Sequence, residues 1–180
     1  LNRPDHRSTW RRRWLGALVG LAAAATVGAQ TVVGRDAVLQ AIQRDDPHAL
    51  RTALLRGADP DLRDELGSPA IVIAARNLSW RVVTALAELR GTDVDAAGPE
   101  GTTALMFAAL HGETALVRAL VARGAQVNKT DWAPLHFAAA NGHSEIVRFL
   151  LEEHAYIDAE SPNRTTPLMM ATRQGHPTTV

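Results

Sequence analysis

Residues 133–142 read Ala133-Pro134-Leu135-His136-Phe137-Ala138-Ala139-Ala140-Asn141-Gly142. The same pattern stands upstream as Thr103-Ala104-Leu105-Met106-Phe107-Ala108-Ala109-Leu110-His111-Gly112. It returns downstream as Thr166-Pro167-Leu168-Met169-Met170-Ala171-Thr172-Arg173-Gln174-Gly175. The glycines that close the three copies are separated by 30 and then 33 positions. A second pattern follows the first two copies. It reads Leu116-Val117-Arg118-Ala119-Leu120-Val121 and then Ile146-Val147-Arg148-Phe149-Leu150-Leu151. Self-similarity at this period marks a repeat architecture, in which one supersecondary unit buries its apolar face only against its neighbours.

Each recurring residue type has a local task. The hydroxyls of Ser68, Thr103 and Thr166 are expected to cap helix N-termini by accepting otherwise unpaired backbone N–H groups. Pro69, Pro134 and Pro167 follow as first helical residues, where a missing N–H costs nothing. The Ala108-Ala109 and Ala138-Ala139 pairs let neighbouring helices approach closely. Gly112 and Gly142 end the first helix of their units in a left-handed turn. Leu116, Val117, Leu120 and Val121 form one apolar stripe of a second helix.

Period and signature together resemble the ankyrin-repeat family. The resemblance runs from about Asp36 to the end of the chain and rests most firmly on Pro134-Leu135-His136-Phe137-Ala138-Ala139 with Gly142-His143. It implies an all-α solenoid of stacked helix-turn-helix units with short hairpin tips. The expected units span about 36–62, 63–95, 96–128, 129–159 and a truncated 160–180, within a repeat domain of residues 30–180. The first unit is polar, as a terminal cap should be. In the second, Asn77 stands where glycine is expected, and the second helix is expected to run about two residues long, to Leu89. The fifth unit breaks off, so the array is expected to continue beyond Val180.

Residues 1–29 read as an address. Arg11-Arg12-Arg13 precedes an uncharged stretch, Trp14 to Ala29, that ends Val27-Gly28-Ala29 before Gln30. Positive end, apolar run and small-residue site are the layout of a secretory signal peptide cleaved between Ala29 and Gln30. The apolar part, about 14 residues, falls short of the roughly 20 a spanning helix needs. An uncleaved inner-membrane anchor and a buried alanine-rich helix are the rival readings. Arg11-Arg12-Arg13-Trp14-Leu15 also resembles a twin-arginine export signal, although nothing in the body requires folding before export. Residue 1 is Leu, so the first residue need not be the biological start. Eighteen arginines against the single Lys129, with many alanines, point to a GC-rich bacterial genome. The expected location is periplasmic or secreted, with membrane contact only through the leader.

Composition excludes much chemistry. There is no cysteine, hence no disulfide, thiolate metal site or cysteine nucleophile. Residues 1–29 hold five arginines and one acid, so the remainder carries 14 basic and 18 acidic residues, a net charge of −4. An acidic body repels phosphate backbones, which argues against nucleic acid. Nucleotide-binding, hydrolase-elbow and zinc-protease motifs are absent from the sequence. The carboxylates are scattered, and no pair is placed for acid–base catalysis. His136 and His143 fall at family positions where they would make structural hydrogen bonds between repeats. Three Asn-x-Ser/Thr sequons, at Asn77, Asn128 and Asn163, read as accidents of an Asn- and Thr-rich repeat. No cofactor, no metal and no enzymatic activity are expected.

The resemblance implies binding of a protein partner, by a monomer, through the hairpin tips and the inner-helix surface. Transferred position by position, the tip residues are Pro99, Glu100 and Thr102, then Lys129, Asp131 and Trp132, then Pro162 and Asn163. The inner-helix positions are Leu110, His111, Ala140, Asn141, Arg173 and Gln174. About three residues are missing between Asn128 and Pro134, so the fourth tip is short. Trp132 there is either a solvent-facing anchor or a filler folded back over the junction of units three and four. Two functional classes follow: an exported scaffold or inhibitor, and the regulatory half of a longer protein with a catalytic or membrane domain beyond residue 180.

Overall fold

The computed structural model describes residues 34–176 and 179. The leader and its cleavage site, Ala29 and Gln30, lie outside the described residues. Helix α1 covers residues 34–43. It is followed by α2 (Pro47–Leu55), α3 (Ala70–Arg76), α4 (Trp80–Glu88), α5 (Ala104–His111), α6 (Thr114–Ala122), α7 (Pro134–Ala140), α8 (Ser144–Glu152) and α9 (Pro167–Gln174). The described residues contain one isolated bridge, Arg63 with Pro69, and no longer strand. None of their helices is long and apolar enough to cross a membrane.

The helices form two rows. Helices α3, α5, α7 and α9 pack successively along an inner row, and α2, α4, α6 and α8 along an outer one. The inner row packs more closely, because Ala74, Ala75, Ala108, Ala109, Ala138 and Ala139 keep the helix axes near each other and are all buried. Between the rows runs one continuous apolar core, with Ile42, Leu50, Leu86, Leu105, Leu120, Leu135, Ile146 and Leu150 essentially inaccessible. Each such side chain contributes roughly 1.5–3 kcal/mol. At the far end, Leu168 occupies the place that Leu105 and Leu135 hold in their units, yet it is 48% exposed. No described element packs on that side of α9.

Two of the three expected hydroxyl caps form. Thr103 Oγ1 accepts from Met106 N–H at 3.4 Å and Thr166 Oγ1 from Met169 N–H at 3.3 Å. Pro134 and Pro167 open their helices. The second unit differs. Pro69 is itself the N-cap of α3, without a side-chain hydrogen bond, and the Ser68 hydroxyl is buried with no partner. Asp64 holds this tip instead: its carboxylate accepts from Ser68 N–H at 2.7 Å and from Arg76 at 3.1 Å. Burial pushes the Asp64 pKa up, but these bonds outweigh it and hold the group below the ordinary carboxylate value.

Two further expectations for the second unit are corrected. The left-handed position is Leu78 (φ 60°), not Asn77 (φ −83°). Hydrogen-bond register decides this. Ser79 N–H bonds Ala74 O as Glu113 N–H bonds Ala108 O and His143 N–H bonds Ala138 O, which places Leu78 in register with Gly112 and Gly142. Helix α4 ends at Glu88 and has nine residues, the same as α6 and α8. The extra residue sits in the following loop.

Candidate functional site

The hairpin tips differ in length, and this shapes the inner surface. In units two, three and five a tight turn is closed by Asp64 N–H to Ser68 O, Gly98 N–H to Thr102 O and Ser161 N–H to Thr165 O. Each turn has a left-handed residue before its last position: Gly67, Gly101 and Arg164. In unit four Asp131 (φ 67°) takes that place, so Trp132 stands in register with Thr102 and Thr165. The three missing residues are therefore the outer turn, the counterparts of Gly98-Pro99-Glu100 and Ser161-Pro162-Asn163.

Where that turn would stand there is a cleft of ≈650 Å³. This lies within the roughly 300–1,000 Å³ typical of ligand-binding clefts. Met106, Phe137 and Met170 give it an apolar lining, supplied by three successive inner helices. Trp132 is half-buried and forms part of the wall. Its ring meets His136 edge-on at 5.4 Å and Phe137 at 6.0 Å and 43°. It is thus not a core residue but a partly exposed wall leaning on its own helix. Glu100, Thr102, Lys129 and Asp131 complete the rim. Lys129 is bound by Asp95.

A smaller cleft of ≈320 Å³ lies on the other side of the third tip, between Leu66, Val72, Arg76, Pro99 and Phe107, and shares Glu100 and Thr102 with the first. The third tip therefore stands between two depressions. Of the residues transferred from the family pattern, the structure brings together Pro99, Glu100, Thr102, Lys129, Asp131 and Trp132. The others do not join them. The His111 ring meets Trp80 at 5.7 Å, tilted by 53°, the Leu110 carbonyl bonds the His143 ring, and the Asn141 amide returns to Phe137 O. Pro162, Asn163, Arg173 and Gln174 are exposed, and Ala140 is half-buried, outside both clefts. Sequence reasoning missed Met106, Phe137 and Met170. The signal was available for two of them: Phe107, Phe137 and Met170 share one repeat position, immediately before the first alanine.

The two histidines bind repeats together. His136 is fully buried. Its Nδ1 accepts from Ala133 N–H at 3.1 Å, so Nε2–H donates to Thr165 O of the next unit at 3.1 Å. The ring thus pairs the Ala133 N–H, while the His136 N–H turns back to Ala133 O at 3.0 Å. Burial lowers the His136 pKa below 6.5, against the opposing effect of its backbone partners. His143 Nε2 lies 3.1 Å from Leu110 O of the preceding unit. Among the described residues no group of three or more His, Cys, Asp or Glu could hold a metal.

Comparison with known proteins gives consistent matches. The family described as Ankyrin repeats (3 copies) matches residues 38–131 and 128–180. The human Transient receptor potential cation channel subfamily A member 1 is 30% identical over 146 residues, 75% of this chain and 13% of that protein. Notch-regulated ankyrin repeat-containing protein A of Danio rerio is 40% identical over 67 residues, 36% of this chain and 60% of that protein. Palmitoyltransferase Hip14 of Drosophila melanogaster is 44% identical over 76 residues, 40% of this chain and 12% of that protein. The chain thus spans less than two thirds of each of these relatives.

Proposed function

The chain belongs to the ankyrin-repeat family, and from that premise we propose that it is a non-catalytic binding module whose partner polypeptide seats in the cleft over the shortened fourth tip. The observation that carries this is the cleft's composition. An apolar lining from three units, a half-buried Trp132 and a polar rim meet where the other units place a turn. A partly exposed Trp in a concave site is the kind of anchor that dominates interface energetics.

The module is read as exported, on the strength of Arg11-Arg12-Arg13, the short apolar run and Val27-Gly28-Ala29. A second reading makes it the regulatory part of a longer protein. Supporting that reading are the exposed Leu168 and Met169 on α9 and the small share of the channel and the palmitoyltransferase that the chain spans.

Trp132→Ala tests the site. Being half-buried, Trp132 should cost only about 1–2 kcal/mol of stability, below the roughly 3–5 kcal/mol of a fully buried Trp. Partner affinity should fall about thirtyfold, on the order of 2 kcal/mol. Tyr156→Ser, at an exposed position outside the cleft, should leave affinity unchanged. Equal affinity in Trp132→Ala and the parent would remove the cleft from the binding surface.

A further inference from the structure

The cleft's charge is one-sided. Two cations border the paired depressions, and both are already engaged: Lys129 by Asp95, and Arg76 by Asp64 at 3.1 Å. Two carboxylates on the rim, Glu100 and Asp131, are exposed and have no ion-pair partner among the described residues. Counting Lys129 with its Asp95, the larger cleft carries three acids and one base, an excess of two negative charges. His136, beneath Trp132, adds no positive charge near neutrality, since burial holds its pKa below 6.5.

The cleft these carboxylates border has aromatic side chains in its wall. Trp132 and Phe137 stand 6.0 Å apart and tilted, and Met106 and Met170 line the same space. Aromatic faces attract cations, Trp most strongly, and thioethers accommodate an aliphatic stem. A long apolar stem ending in a planar cation matches both the apolar lining and the acidic rim. Elsewhere the chain makes this combination internally. The Arg118 guanidinium lies 4.4 Å over the Phe149 ring while its Nη2 is 3.6 Å from Glu145.

Building on the binding reading above, we propose that the cleft receives an arginine side chain of the partner polypeptide, its stem against Met106, Met170 and Phe137 and its guanidinium between Trp132 and the carboxylates of Glu100 and Asp131. Arginine is preferred to lysine because a planar guanidinium stacks on a ring while its edge donates to carboxylates.

The chain has three methionines, two in the cleft, while Met169 is 57% exposed outside it. Methyl-labelled methionine therefore reports the site with an internal control. The full chain is titrated with blocked pentapeptides of Ala-Ala-Xaa-Ala-Ala, Xaa being arginine, norleucine or glutamate. The arginine peptide should shift the Met106 and Met170 methyl signals, leave Met169 in place, and bind about tenfold more tightly than the norleucine peptide. Glu100→Gln with Asp131→Asn should cut that difference severalfold, to what the aromatic faces alone supply, and as exposed rim changes these leave the fold intact. Equal binding of the arginine and norleucine peptides would overturn the arginine assignment while leaving the cleft a binding site. Stronger binding of the glutamate peptide, or no shift with any peptide, would also overturn it. Failure of the broader reading shows separately, as unchanged partner affinity in Trp132→Ala.

Discussion

The His143 ring lies directly on Gly112 of the preceding unit: a Cβ at Gly112 would come within 2.7 Å of Cε1 and 2.9 Å of Nδ1. His176 sits on Gly142 in the same way, at 2.7 Å. The glycine is required twice over, by its φ of 77° and by the ring. Gly112→Ala should therefore cost about 2–3 kcal/mol, adding a strained His143–Leu110 bond to the left-handed penalty. Gly124→Ala is the control. Its φ is 94° with nothing within 4 Å of the added methyl, so about 1–2 kcal/mol is expected. Denaturant midpoints of the two variants check the difference, and equal losses would refute the seat.

The same coupling explains unit two. Leu78 replaces the glycine, and Glu113 replaces the histidine that would sit on it. Leu78 holds φ 60° and is 49% exposed, so Leu78→Gly relieves strain but gives up about half of a leucine's burial, about 1 kcal/mol. A left-handed cost of about 1–2 kcal/mol is offset by that loss and by glycine's greater unfolded-state freedom of about 0.5–1 kcal/mol, so the single variant should be neutral to within about 1 kcal/mol. Adding Glu113→His, which restores the ring on the glycine, should raise stability above that of Leu78→Gly. A melting temperature of the double variant no higher than that of Leu78→Gly would contradict this.

His136 makes stability depend on pH. Its folded pKa lies below 6.5, so between 6.5 and that lower value the unfolded chain binds a proton the folded chain does not. This contribution is complete above pH 6.5 and lost as pH falls beneath it. His136→Gln should lower stability by about 1–3 kcal/mol at pH 7.5 and flatten the decline between pH 7.5 and 5.5. The urea midpoints of parent and variant, measured at both pH values, give the comparison. A decline of undiminished steepness in the variant would assign the pH dependence to other groups.

The repeat was legible because its punctuation is local chemistry. Thr103, Thr166, Pro134, Pro167 and Gly112 act within one helix turn of themselves, and all five stand where their residue types predict. Unit two was misread for the same reason. Asn77 tolerates a left-handed turn and so attracted the assignment, whereas the position is fixed by a backbone bond from Ser79 to Ala74 that no side chain advertises. The cleft was less legible still. A three-residue gap is visible in the sequence, but what it uncovers depends on Met106 and Met170, far away in the chain and brought together only by stacking.

Export rests on residues 1–29 and has its own measurement. Expressed with its leader in a Gram-negative host, the protein should be recovered from the periplasm with Gln30 as its new N-terminus. Replacing Arg11, Arg12 and Arg13 by Asn should slow or stop that processing. Cytoplasmic protein retaining its leader would contradict the assignment.

The central claim, that the missing turn creates the binding cleft, is tested most directly by putting the turn back. Inserting Ser-Pro-Asn between Thr130 and Asp131 copies Ser161-Pro162-Asn163 of unit five and restores a turn where the ≈650 Å³ cleft opens. Unit five shows that the repeat accepts a turn of this length, so circular dichroism and the denaturation midpoint should stay close to the parent's. Titration of the partner polypeptide against the refilled chain is the measurement. The account predicts a loss of affinity at least as large as that of Trp132→Ala, about thirtyfold. Unchanged affinity in a folded, refilled chain would contradict it and move the binding surface elsewhere.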